Sequence, residues 1–314
     1  MFKYILKRLA YTVVTVFVLV TLTFFMMQLL PGDPFTGEKK IPDAVMASMK
    51  AKYGLDKPVY QQYILYVGNV LHGDLGVSLD DNRSVTDKLL TTFPVSADLG
   101  IRALCFAVVV GILLGILAAV KRGTFWDSLC MFIALLGVSV PSFIVAALLQ
   151  YFLGLKLYQW TGVKLFAITG WKGMNSKILP VIAMGFGTIA TVSRLMRTSM
   201  LDVLGSDYIK TAKAKGLSQA KIIWKHGVRN AILPVVTILG PTTAGVLTGG
   251  FVVESIFSIP GMGKSFVTGI QQVNYTMIMG TTIFYGTFLI LCNLVVDLVY
   301  GLIDPRVKLA GGSK

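Results

Sequence analysis

The chain of 314 residues is 54% hydrophobic and only 14% charged, with a mean hydropathy of +0.72. A soluble domain carries about 25% charged residues, so this composition argues against a soluble protein and for a polytopic membrane one. The net charge of +14 is weak support for a nucleic-acid partner. Long uncharged runs separate the basic clusters, as basic loops between membrane spans would.

The basic opening KYILKRLA leads into residues 9–30, which carry no charge. A signal peptide has an apolar core of about 7–15 residues and a small-residue cleavage site. This run has 22 residues and continues into LLPGDP, so residues 1–30 are read as an N-terminal segment with a retained first span. Residues 31–99 are too long for an idle connector and read as a large helical loop. PDAVMASMKAKYG starts at Pro42/Asp43 and stops at Gly54. PVYQQYILYVGNVLHG places Val59, Tyr63, Tyr66, Val67, Val70 and Leu71 on one helical face. Ser84–Asp87, SVTD, has the pattern of a short capping box. The loop suits both a cap packed on the spans and a docking surface for an extracellular partner.

Five more apolar segments follow, at 100–120, 129–154, 178–200, 231–252 and 277–301, each near the roughly 20 residues a helix needs to cross a bilayer. Pro180 with Gly185 and Gly187 is expected to interrupt the fourth span, and Pro234 and Pro241 mark the fifth. The patterns GILLG (111–115) and GVLTG (245–249) suit close helix packing. The expected fold is therefore all-α, with six transmembrane helices and a large loop between the first two.

Between spans four and five lies the basic segment 194–230. Ser206/Asp207 is placed to cap a helix running to Lys215, Gly216 to end it in the left-handed conformation, and Ser218 to cap a second helix. Such a loop also suits anionic lipid headgroups. Tyr208, Ile209, Ala212 and Ala214 give the first helix a small-and-aromatic surface suited to a protein groove. After span five, SIPGMGKS (258–265) imitates the end of a phosphate-binding loop but has Ser258 where that motif opens with glycine. It reads instead as a turn, with Pro260 presetting φ and Gly261 and Gly263 available for positive φ.

With both termini on the cytoplasmic side, the inner segments 1–8, 121–127, 194–230 and 302–314 hold sixteen Lys/Arg and four acids. The outer segments hold twelve Lys/Arg and ten acids. That asymmetry puts 31–99 outside and 194–230 inside. Cys105, Cys130 and Cys292 sit in separate apolar runs, and His72 and His226 are isolated. Neither a disulfide framework nor a metal set emerges. Ser139, Ser142, Gln150, Thr188, Thr191, Thr242, Thr243 and Thr248 are polar positions within spans, suited either to lining a path or to bonding neighbouring backbone. Glu254 and Asp297 are charged residues at or inside span ends. Glu254 is a candidate for a gate or a binding-protein contact, Asp297 for an interface pair.

DYIKTAKAKGLSQAKIIWKHGVRNAILPVV resembles the EAA loop of ABC-transporter permeases in the form typical of peptide importers. FMMQLLPGDPF, YGLDKPVYQQYILYVGNVLHGDLGVSL, VVESIFSIPGMG and the ending DLVYGLIDPRVKL agree with it. The resemblance covers nearly the whole chain and implies a B-type permease subunit of an oligopeptide or dipeptide importer with the type I ABC importer fold. Two departures from the general EAA pattern, Lys210 at the acidic position and Leu233-Pro234 lying 17 and 18 residues beyond Gly216, are shared by peptide-type permeases. The domains so implied are 1–30, the extracellular loop 31–99, a five-helix core 100–301 containing the coupling loop 194–230, and a cytoplasmic tail 302–314.

The resemblance also implies a homologous permease partner, two cytoplasmic ATPase subunits and an extracellular solute-binding protein, in a bacterial-type plasma membrane. ATP and Mg would be bound by the ATPase subunits, with no cofactor in this chain and no catalytic residue. It implies coupling through Asp207, Tyr208, Lys210, Thr211, Ala212, Ala214, Lys215, Gly216, His226 and Arg229. Ser139, Ser142, Thr188, Thr191, Thr242, Thr243 and Glu254 are the candidates for the path or gate. Nickel and other small-ligand importers share this permease type, so the ligand stays open between them and peptides. A membrane-embedded enzyme finds no H-E-x-x-H or G-x-S-x-G pattern, and a stand-alone secondary transporter finds no inverted repeat.

Overall fold

The computed structural model describes residues 2–29, 57–78, 80–247 and 250–303. The expected helix at 42–54, Thr248 and the tail 304–314 lie outside the described residues. Among those described there is no strand, only a single bridge between Val77 and Ser84. Among the described residues, five helical stretches are long and apolar enough to cross a membrane: Tyr4–Gln28, Val85–Val120, Ser142–Thr161, Ile178–Gly205 and Tyr275–Val295. Two shorter apolar helices, Phe125–Ser139 and Leu233–Thr243, accompany them. The chain forms two compact units, Met1–Ser96 with Pro260–Lys314, and Ala97–Ile259.

In the first unit, α1 (Phe2–Gln28) packs along α14 (Tyr275–Ile303). Gly286 allows their close approach, since a Cβ there would stand 2.5 Å from Leu19 Cδ2. Arg8 pairs with Asp297, and the Tyr4 hydroxyl donates to the Asp297 carbonyl at 3.2 Å. Asp297 is thus an interface pair. The predicted amphipathic helix forms as α2 (Val59–Leu71), and the Tyr63 and Tyr66 rings meet Phe24 of α1 at 5.4–5.5 Å. The buried face is narrower than the sequence suggests, because Val59 and Leu71 at the ends remain exposed. Burial pushes the Tyr66 phenol well above its ordinary pKa.

Ser84 accepts the Asp87 N–H at 3.3 Å and so caps α3 (Val85–Val120) as the SVTD pattern requires. Later in this unit, α13 (Met262–Gln271) is followed by Val273, whose φ is +53°. The buried Asn274 then donates to Ser78 Oγ at 2.9 Å and accepts the Met277 N–H at 3.1 Å, starting α14.

In the second unit, α7 (Ile178–Gly205) is the hub. Glycines let neighbours press against it. A Cβ at Gly115 of α3 would lie 2.6 Å from both Met196 Cβ and the Ser193 carbonyl. One at Gly137 of α4 (Phe125–Ser139) would lie 2.7 Å from Ala190 Cβ. GILLG therefore acts as the close-packing motif it resembles. GVLTG does not do so at its first glycine, because Gly245 faces open space.

Two expected spans take a different form. The third breaks at Val140–Pro141: the residue before proline is driven to extended backbone, and Val140 has φ −97° and ψ 120°. Beyond it, α5 (Ser142–Leu149) runs through a π-helical stretch, Gln150–Lys156, into α6 (Leu157–Thr161). The fourth is not interrupted at all. Pro180 sits in the first turn of α7, where no intrahelical N–H is required, and Gly185 serves approach to the Ala103 carbonyl, 3.0 Å from its would-be Cβ.

Gly115→Val should cost on the order of 1–3 kcal/mol through overpacking, because both atoms it meets belong to α7. Thermal unfolding in detergent is expected to show a lower midpoint, whereas Gly245→Val should leave it unchanged.

Candidate functional site

The basic loop folds as a helix, a sharp turn and a second helical run, all within the second unit. After α7, Ser206 adopts extended backbone and α8 spans Asp207–Ala214. The Ser206 hydroxyl does not cap α8; it donates back to the Val203 carbonyl at 2.6 Å. Gly216 has φ +72°. Its N–H reaches the Lys213 carbonyl at 2.9 Å, and that of Leu217 reaches Ala212 at 3.3 Å. These two bonds are the Schellman pair, in which glycine avoids the cost of a left-handed residue. Ser218 begins α9 (Gln219–Lys221), also without a side-chain cap, and the chain continues through the π-helical turn Ile222–Val228 into α10 (Arg229–Ala231). A π turn puts an extra residue into the helix and is frequent at functional sites.

The two faces of α8 differ. Ile209 and Ala212 are buried against Ile222, with Leu204 and Leu217 beside them. They hold the two helical runs together and are not on the outer surface, contrary to the reading of Ala212 as part of a groove-binding face. The reason is the partner helix: an amphipathic stripe reveals which residues share a face, not what covers it. Asp207, Tyr208, Lys210, Thr211, Ala214, Lys215 and Gly216 are exposed, as is Arg229, while His226 is half-buried. Asn230 donates to the Tyr208 hydroxyl at 3.1 Å and to the His226 carbonyl at 3.0 Å. Asn230 was not singled out in the sequence, although an asparagine four residues after a candidate site residue is a signal for such a bond.

The loop is tied into the helices at its base. Arg197 of α7 donates to both carboxylate oxygens of Asp127 at 2.7 and 2.8 Å, and the Gly123 N–H adds a third bond at 3.0 Å. Met196 and Met200 of α7 pack with Ile116, Ala119, Ala231 and Val235. A displacement of α8 therefore meets a close-packed base rather than a loose hinge.

The path candidates lie in two settings. Ser139 and Ser142 are exposed on either side of the Val140–Pro141 break. Thr188 is half-buried and Thr191 exposed on one stripe of α7. Thr191 donates to Gly187, Thr242 to Ile238 and Thr243 to Leu239, at 2.6–3.1 Å. These hydroxyl protons are used within their own helices, which leaves the oxygens as acceptors.

Glu254 is fully buried on α12 (Phe251–Ile256), so it does not offer itself to an external partner in this conformation. That helix ends in another Schellman pair. Ser258, φ +52°, bonds Ser255 at 3.1 Å and Ile259 bonds Glu254 at 2.8 Å. Positive φ thus falls on Ser258, whereas Gly261 is extended at φ −96° and Gly263 lies in the first turn of α13. SIPGMGKS follows a helix, not the β-strand that precedes a phosphate loop. Lys264 lines an open hollow of about 270 Å³ together with Asp80, Lys88 and Gln272. Burial would raise the nearby Asp81, but hydrogen bonds from Lys88 and Ser78 outweigh it and hold that carboxyl below its usual range.

A family described as binding-protein-dependent transport system inner membrane component matches residues 111–309, and its N-terminal companion matches 1–100. The dipeptide transport system permease protein DppB of Bacillus subtilis is 46% identical over 98% of this chain and 99% of its own length. The oligopeptide transport system permease protein OppB is 44% identical in Haemophilus influenzae and 42% in Escherichia coli K12, each over 98% of this chain and all of that protein. Among solved structures, the MetNI methionine ABC transporter in inward-facing conformations aligns with a TM-score of 0.55 at 15% identity, covering 69% of this chain and 96% of that one. That likeness establishes the permease fold.

Asp127→Asn should destabilise the second unit by on the order of 2–3 kcal/mol, because it leaves the Arg197 guanidinium without its charge partner. Unfolding in mixed micelles measures this. Pairing it with Arg197→Met should recover part of the loss, since the uncompensated charge is then gone.

Proposed function

The chain belongs to the family of binding-protein-dependent transport system inner membrane components, permease subunits of ABC importers, and we propose that it forms part of a peptide path opened by two ATPase subunits. Its partners in this reading are a homologous permease, the ATPases, an extracellular solute-binding protein and membrane lipid. ATP and Mg belong to the ATPases. The names and the near-complete overlap of the dipeptide and oligopeptide relatives support di- or oligopeptides as cargo. The excess of Lys/Arg in 194–230 supports a cytoplasmic position for that loop and cytoplasmic termini.

The observation that carries the mechanism is the division of α8 into two faces. Ile209 and Ala212 fix it to the following helical run, while Tyr208, Thr211 and Ala214 face outward. A short rigid helix exposed in this way is suited to a groove on an ATPase. Because its base is packed onto α7 and α11 (Leu233–Leu247), closure of the ATPase dimer would shift those helices as bodies. The threonine stripe of α7 and the serines at the Val140–Pro141 break are then the polar surface exposed alternately to either side. For ATP to drive such a change, the ATPases must hold the two states with different affinity.

Three measurements test this. Arg83→Cys should react with an impermeant thiol reagent in intact cells and Ser218→Cys should not; the reverse pattern inverts the topology. Ala214→Cys should cross-link to an ATPase subunit with a yield that changes on adding nucleotide. Gly216→Val forces a β-branched side chain into positive φ, at a cost of order 1–3 kcal/mol. It should lower ATP-driven peptide uptake about tenfold while the chain stays in the membrane. Normal uptake in that variant, with no cross-link at residue 214 in any nucleotide state, would place coupling elsewhere.

A further inference from the structure

A helix end leaves its last carbonyls without intrahelical partners, and α12 is a six-residue helix within an apolar protein, so its accounts can be traced one by one. The Glu254 and Ser255 carbonyls are taken by the Ile259 and Ser258 N–H groups. The Ile256 carbonyl accepts the Gln150 carboxamide at 2.8 Å. The Phe257 carbonyl accepts the Gly170 N–H at 2.7 Å. Two of the four partners therefore come from elsewhere in the chain and not from the turn that follows α12: a side chain on the π-helical stretch, and the loop between α6 and α7.

The same Gln150 nitrogen donates its other proton to the Ile168 carbonyl of that loop at 2.9 Å. One turn along the π-helical stretch, the buried Gly154 packs against Ile168 of the loop at ordinary contact distance. The loop is also closed on itself, by the Ala167 N–H to the Asn175 carbonyl at 3.1 Å. It is fixed at its far end by Lys177, which bonds Asp98 at 2.9 Å and lies over the Trp171 ring.

We propose that Gln150 is a positioning residue for transport: its carboxamide bolts the Glu254-bearing helix to the loop 163–177, so that this end of the path opens and closes only as one body. The inference rests on the permease reading above. A primary amide has two N–H donors, and Gln150 commits both to backbone carbonyls from two separate segments. Pulling α12 away from the loop would break the bonds to the Ile256 and Phe257 carbonyls together, and Phe257 is buried, so the separation costs at least two hydrogen bonds at once. The two segments therefore move together or not at all. Gln150 touches no cargo in this role; it sets where Glu254 stands.

The test uses the full complex in proteoliposomes, with the native cysteines replaced. Gln150→Leu removes both donors, and Gln150→Glu sets a carboxylate against two carbonyls. Both variants should assemble normally, yet hydrolyse ATP without the binding protein about tenfold faster than the parent. Tenfold is ~1.4 kcal/mol, the scale of losing one to two hydrogen bonds net of their replacement. Uptake per ATP should fall in parallel, and a cysteine at Ser255 should become reactive to an impermeant thiol reagent. Cysteines replacing Ile168 and Ile256, bridged by a short reducible bis-thiol reagent in the Gln150→Leu background, should restore low basal hydrolysis until the bridge is cut. Unchanged basal hydrolysis and labelling in both variants would overturn the proposal. So would loss of assembly in both, or a bridge with no effect. A parent complex without ATP-driven uptake would instead overturn the permease reading, independently of Gln150.

Discussion

The constraint on which the structure depends is that an apolar surrounding supplies no hydrogen bonds to exposed backbone, so a helix end inside the membrane must be closed from within the protein. Breaks in a spanning helix are tolerated only where something else takes up the freed groups. At α12 the closure is shared between a Schellman pair, the Gln150 side chain and the Gly170 N–H. At α8, Gly216 and Leu217 provide it without leaving the loop. The difference matters for function. At α12 the segments that close the end must move with it, whereas at α8 the tie to its neighbours is made by the packing of Ile209 and Ala212 on Ile222.

Close packing of helices supplies the second condition. Lipid tails are as apolar as the side chains, so helices associate through contact and not through exclusion of water. The glycines opposite α7 bring backbones within van der Waals reach along its length, and the Asp127–Arg197 pair fixes the end nearest α8. A packed interior is bistable and not continuously deformable. On the proposed reading, a push on α8 would be passed to α7 as a shift of the whole helix. This is the physical form that coupling between a cytoplasmic ATPase and a distant path requires.

Much of this was legible in the residue order. Amphipathic spacing located α2, the SVTD pattern located the start of α3, and the glycine after a short polar helix located the turn at Gly216. Other readings failed for reasons of context. Pro180 looked like an interruption because its position relative to a helix start is not evident from hydropathy. Ala212 looked like part of a docking face because small size suits a protein groove and a helix–helix contact equally well. Gly261 and Gly263 looked like the positive-φ residues of their turn, yet the position that takes it is Ser258, set by the end of α12 and not by local preference.

The sequence by itself determined the membrane class, the spacing of the spans, the likeness to peptide permeases and the helix–turn–helix between α7 and α11. All of these follow from local patterns of hydropathy, charge and backbone preference. Only the tertiary structure decided which face of α8 is covered, that the third span is two helices, and that Asp127 meets Arg197 and Gln150 meets Ile168 and Ile256. Those facts join residues separated by up to 106 positions. No local preference encodes a partner that distant; it is chosen when the helices pack and each unsatisfied group finds the nearest group able to satisfy it.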